Sequence, residues 1–159
     1  YYYIDKSNFI TEVIDNSAKI VLLPRPRRFG KTLNLTMTKY FFDVEEDNRE
    51  LFNNLNISKN QEAMKHCGKY PIIYITFKDV KESSFERSIE KIDSLIRVQF
   101  GEYEDIISKI IDKVNKEDRS NYYKIINAKA SYTLYANAFK LLSKLLTIAY
   151  NQKCIILID

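Results

Sequence analysis

Leu23-Pro24-Arg25-Pro26-Arg27-Arg28-Phe29-Gly30-Lys31-Thr32 is the stretch on which the reading of this chain turns. It follows a short apolar run, Ala18-Lys19-Ile20-Val21-Leu22-Leu23, and precedes an amphipathic stretch that ends at Phe42. The apolar run is rich in β-branched residues and stops at Pro24, which predicts a buried strand over 18–23. Pro24 and Pro26 restrict the residues before them, so 24–29 cannot be helix. A helix is expected from Gly30 to Phe42, with Leu33, Met37, Tyr40 and Phe41 facing inward.

Strand, tight loop and helix N-terminus, in that order, suit an anion. Backbone N–H groups converge at the start of the helix. Gly30 lets the backbone approach a ligand closely. Lys31 supplies a flexible cation for β- and γ-phosphates, and Thr32 a hydroxyl for Mg²⁺. The full phosphate-loop pattern is G-x-x-x-x-G-K-[ST]. Arg25 stands at its first glycine, so the tail of the pattern matches and the head does not. No acid occurs from Asn16 to Phe42, while Lys19, Arg25, Arg27, Arg28, Lys31 and Lys39 are basic. The same basic turn also suits a solvated loop, a nucleic-acid contact or a targeting patch, and the loop alone does not choose.

A second feature lies at the far end of the sequence. Ile155-Ile156-Leu157-Ile158 precedes Asp159. P-loop ATPases need an acid at the tip of a buried strand, where it orients the water shell of Mg²⁺. Asp159 fits that role; an ordinary turn aspartate has the same signature. Chance produces either feature alone more readily than both in this order. A chain seldom stops at such a strand tip, so both ends read as cut from a longer protein.

Between these features the periodicity alternates. Ser7 is placed to cap a short helix bearing Phe9, Ile10, Val13 and Ile14. Glu45 to Lys69 is polar and Asn-rich, which predicts loop and a short helix. Pro71 to Phe77 reads as a second strand, with Pro71 at its first position. Ser83-Ser84-Phe85-Glu86 is a capping-box pattern opening a helix with Phe85, Ile89, Ile92, Leu95 and Ile96. Tyr103, Ile106, Ile107, Ile110, Ile111 and Val114 share a helical face, as do Leu134, Leu141, Leu142, Leu145, Leu146 and Ala149. Lys116 to Asn121 reads as a charged turn, and Cys154 to Ile158 as a third strand. Strands alternating with helices give α/β with a mostly parallel sheet.

Composition narrows the classes. The chain has 159 residues, 45% of them hydrophobic, enough for one domain with a core. A charged fraction of 29% and only three Gly and three Pro exclude disordered-tail, collagen-like and low-complexity classes. No apolar run reaches the roughly 18–20 residues that span a bilayer. The formal charge of +4 is mild and fits an enzyme or a nucleic-acid binder. Two cysteines, Cys67 and Cys154, and one histidine, His66, are too few for a disulfide framework or a four-ligand zinc site. Reduced thiols point to a cytoplasmic protein. His66-Cys67 is too isolated to argue a site, and the twelve Tyr and nine Phe fall mostly at core-facing positions.

Several of these strings together resemble the predicted AAA-ATPase-like family. They are Tyr2 to Ile10, Pro24 to Leu33, Tyr70 to Val80, Leu134 to Ala138 and Ile156 to Asp159. The Arg-Pro-Arg-Arg-Phe-Gly-Lys-Thr string is the most specific of them, and the missing first glycine is itself typical of that family. The resemblance implies an incomplete P-loop NTPase fold, three-layer α/β/α, of the additional-strand class akin to STAND-type ATPases. Residues 1–159 would then be the N-terminal part of the ATPase domain, ending at the Walker B strand. A strand of that class inserts between the P-loop and Walker B strands and would follow Asp159, so a gap or a strained approach is expected between 18–23 and 154–158. The family pattern continues past the aspartate with a glutamate that activates water, so the nucleotide-binding half of the site would be here and the hydrolytic half not.

The resemblance also implies ATP and Mg²⁺ as ligands. Arg28, Phe29, Gly30, Lys31, Thr32 and Leu33 would bind nucleotide, and Thr32 and Asp159 the metal. Arg25 and Arg27 would contact phosphate or a partner. Tyr3 and Ile4, beside Asp5, would lie near the adenine, or simply lead into the first helix on the core. Asp79, after the second strand, is expected to cap its loop. ATP binding and hydrolysis would switch a C-terminal effector, in many members a PD-(D/E)XK nuclease-like domain. The rival readings are a nucleic-acid module built on Arg25 to Arg28 and a P-loop scaffold that does not hydrolyse.

Overall fold

A computed structural model describes residues 4–24, 26 and 28–159. The chain divides into two compact units, residues 1–72 with Asp159, and residues 73–158. The class is α/β: helices with a short two-stranded parallel sheet, β1 (Ile72–Ile75) beside β2 (Ile155–Ile158).

In the first unit, α1 (Asn8–Asp15) buries Ile10 completely. Ser7 stands at its N-cap position, but its hydroxyl does not cap. Instead it accepts the Ile57 N–H at 3.0 Å, fully buried. Asp5 works beside it, accepting from Ser7 N at 2.8 Å and from Asn56 N at 2.6 Å. Two short polar side chains thereby satisfy the start of the 3-10 turn Asn56–Lys59 and fix α1 against it.

The second helix, α2 (Lys31–Phe42), buries Asn34, Thr38, Phe41 and Phe42. The expected inward face is therefore rotated: Leu33 and Tyr40 are exposed. Asn34 and Thr38 lie one turn apart and lead down to Phe41. Thr38 turns its hydroxyl onto the Asn34 carbonyl at 2.8 Å, so a polar residue enters the core already satisfied. Phe41 meets Phe42 and Phe52 edge-on, each at 5.1 Å between ring centres. The chain past α2 is held by a parallel bridge between Asp43 and Tyr70. A further 3-10 turn (Arg49–Phe52) and α3 (Gln61–Met64) fill the polar region, as its composition suggests.

No strand forms over 18–23. Ile20 is 88% exposed and Leu22 84%. β-branched residues favour a pleated surface, but a strand exists only where a neighbour completes its ladder. Among the described residues β1 and β2 are the only paired strands.

The second unit packs α4 (Phe85–Glu102), α5 (Glu104–Ser108), α6 (Lys116–Ile126), α7 (Tyr132–Ala136) and α8 (Ala138–Tyr150) around one core. Ile73 of β1, Phe100, Ile107, Ile125, Leu142, Leu145 and Leu146 are fully buried there. Gln99 of α4 accepts the Tyr74 N–H at 3.1 Å and donates to Glu102, so a side chain serves one backbone donor of β1.

Three expectations shift in this unit. The cap of α4 is Ser84, accepting from Arg87 N at 3.3 Å; Glu86 falls one place short of the reciprocal position, and Phe85 is exposed. The 103–114 face is real, but its helix breaks into α5 and a 3-10 turn (Ile111–Lys113). Residues 116–121 are helix, not turn. Asn115 caps α6 by accepting from Asp118 N at 2.9 Å, Glu117 and Asp118 suit its first turn, and Tyr122 and Ile125 bury.

Candidate functional site

The loop before α2 turns through two left-handed residues. Arg28 has φ 68° and Gly30 has φ 74°. Gly30 is the N-cap of α2, and its carbonyl accepts the Asn34 N–H at 2.9 Å. The donors of Lys31, Thr32 and Leu33 precede that first helical bond, so the helix itself does not use them. Gly30 has no side chain to cap them, and no acid stands in the first turn. The helix therefore presents N–H groups and the positive end of its dipole toward the loop. Lys31, Thr32, Leu33 and Phe29 are all exposed there, and so is Arg28.

Thr32 Oγ1 donates to Asp159 Oδ2 at 2.8 Å. The two residues are 127 positions apart in sequence and lie in the same unit. A hydroxyl and a carboxylate side by side are hard oxygen donors of the kind Mg²⁺ prefers. Among the described residues no group of three or more His, Cys, Asp or Glu could hold a metal alone. An ion here would draw its remaining ligands from water and phosphate, the usual habit of Mg²⁺.

Other sequence candidates fall elsewhere. Ile4 is exposed, and Asp5 is committed to Ser7 and Asn56. Burial works to raise the Asp5 carboxyl, but the N–H groups of Ser7 and Asn56 outweigh it and hold it below its ordinary value. Asp79 is exposed in the turn after β1, in the second unit. Tyr3, Arg25 and Arg27 lie outside the described residues. Both thiols are raised by burial, Cys154 to about 11, as inert core cysteines are.

The family model described as "Predicted AAA-ATPase" matches residues 1–159. The chain belongs to the predicted AAA-ATPase family. No curated protein and no solved structure matches it. Membership in the AAA-ATPase-like family points to nucleotide use and extends over both the Gly30–Thr32 loop and Asp159. Among the described residues of this AAA-ATPase-like chain, no helix is long and apolar enough to cross a membrane.

Proposed function

We propose that this chain is the nucleotide-binding part of a P-loop ATPase with a three-layer α/β/α fold, residues 1–159 forming the N-terminal portion of that domain. The observation that carries the reading is the Thr32–Asp159 hydrogen bond, which joins the end of the phosphate-loop pattern to the acid after β2. The N–H groups at the start of α2, which precede its first intrahelical bond, support it.

Backbone amides from Arg28 to Leu33 cradle the phosphates, with Phe29 beside them. Lys31 bridges β and γ by charge. Thr32 and Asp159 would hold Mg²⁺, which would neutralise part of the phosphate charge. Arg28 adds positive potential at the loop, and Arg25 and Arg27 extend it toward phosphate or a partner. Bound Mg·ATP supplies a scissile phosphoanhydride whose charge the metal partly neutralises. The chain's own residues bind and orient that group. ATP binding and hydrolysis then switch a C-terminal effector, which a nuclease-like domain would suit.

The test compares ATP affinity with and without Mg²⁺ in the wild type and in Thr32→Val. The reading expects the Mg²⁺-dependent gain to vanish in the variant while the Mg²⁺-free affinity persists. An unchanged metal dependence would remove Thr32 from the role.

A further inference from the structure

The first unit carries a second basic site, remote in sequence from the phosphate loop. An open groove of about 460 Å³ is lined by Arg49, Ser58, Gln61, Met64, Lys65 and Lys69. Three of these are cations and none is an acid. They come from the 3-10 turn Arg49–Phe52, the turn Asn56–Lys59, α3 and the segment after it. Lys65 is paired with Glu62 at 2.6 Å, on the exposed flank. Arg49 and Lys69 take part in none of the ion pairs among the described residues. Both also act on the buried Cys67 thiol, opposing the upward push of burial. Asp47 opposes them there but accepts the Arg49 N–H at 3.3 Å and does not line the groove.

We propose that this groove binds the sugar–phosphate backbone of single-stranded nucleic acid. Arg49 and Lys69, outside the ion pairs among the described residues, supply cations for phosphates. Gln61 offers a donor and an acceptor together, which a base edge uses and a polyacidic peptide does not. Met64 provides an apolar, polarisable floor beside them for a base face.

The experiment is fluorescence anisotropy of a labelled oligothymidylate against the full chain over a range of NaCl concentrations. Arg49→Gln with Lys69→Gln should weaken binding on the order of tenfold and lower the salt slope by about 1.4, two single-strand phosphate contacts. Glu62→Gln frees Lys65 and should tighten binding, a gain that misfolding cannot mimic. Lys31→Ala should leave the oligonucleotide affinity unchanged. Equal binding by the double variant, or loss only when the phosphate loop is altered, would overturn the proposal. So would a polyglutamate peptide that binds as tightly as the oligonucleotide, since it would mark an acidic protein partner instead.

Discussion

Thr32 Oγ1 sits 2.8 Å from Asp159 Oδ2, and this one hydrogen bond closes a loop of 127 positions. It pairs a helix N-terminal hydroxyl with a carboxylate that follows a β-strand. Neither side chain is buried, so the pair is available to a ligand.

Asp159→Asn keeps a hydrogen-bond acceptor for Thr32 but removes the charge. ATP affinity in Mg²⁺ should fall on the order of tenfold, in line with about 1.5–3 kcal/mol for a charge-assisted contact. In EDTA the variant and wild type should bind alike. Titration calorimetry in the two buffers makes the comparison.

The left-handed residues of the loop predict opposite effects. Gly30 at φ 74° has nothing within 4 Å of an added Cβ, so Gly30→Ala suffers from backbone strain alone. The expected loss is about 1–2 kcal/mol in urea unfolding. Arg28 already bears that strain at φ 68°. Arg28→Gly should be neutral or stabilising by up to ~1 kcal/mol, because relief of strain is offset by a more flexible unfolded chain.

Removing the Ser7 hydroxyl orphans a buried donor. Ser7→Ala leaves the Ile57 N–H without its acceptor and should cost about 1–3 kcal/mol. Ser7→Cys should rescue little of it, since sulfur is a weak acceptor. Urea midpoints of the two variants decide the matter.

Acid and neutral pH should act differently on three aspartates. Asp5 and Asp118 are both held below the ordinary carboxylate value. For Asp5 the N–H groups of Ser7 and Asn56 prevail over burial; for Asp118 the Lys144 hydrogen bond leads. Their stabilisation is present above about pH 4 and is lost as pH falls through their folded values. Asp43 is raised, chiefly by burial, so its contribution runs the other way: stability falls as pH rises from the ordinary carboxylate range through its folded value. Asp43→Asn should therefore flatten that decline and gain stability at neutral pH. Asp118→Asn should flatten the acid limb. Thermal melts between pH 3 and about pH 7 give both curves.

The sequence was most legible where period and burial agree. β1, β2 and the Leu141, Leu142, Leu145, Leu146 face of α8 announce themselves by apolar content. Gly30 and Thr32 stand out by pattern and Asp159 by its place after an apolar run, and the structure brings Thr32 and Asp159 together. The 18–23 run misled because β-branched residues report side-chain preference and not the presence of a pairing strand. The face of α2 misled because Thr38 is made harmless by a bond within its own helix, so polarity did not mean exposure. Residues 116–121 looked like a turn because charge hid a capped first turn. The Arg49–Lys69 groove left no trace in the sequence: its cations are interleaved with Glu50 and Glu62, and only folding brings Arg49, Lys65 and Lys69 to one groove.

The most direct measurement is Mg·ATP binding by calorimetry, wild type beside Lys31→Ala. The P-loop account predicts a saturable site whose affinity drops at least about tenfold when the lysine cation is removed. Unchanged ATP affinity in Lys31→Ala would contradict it, and would leave the basic loop to a nucleic-acid partner.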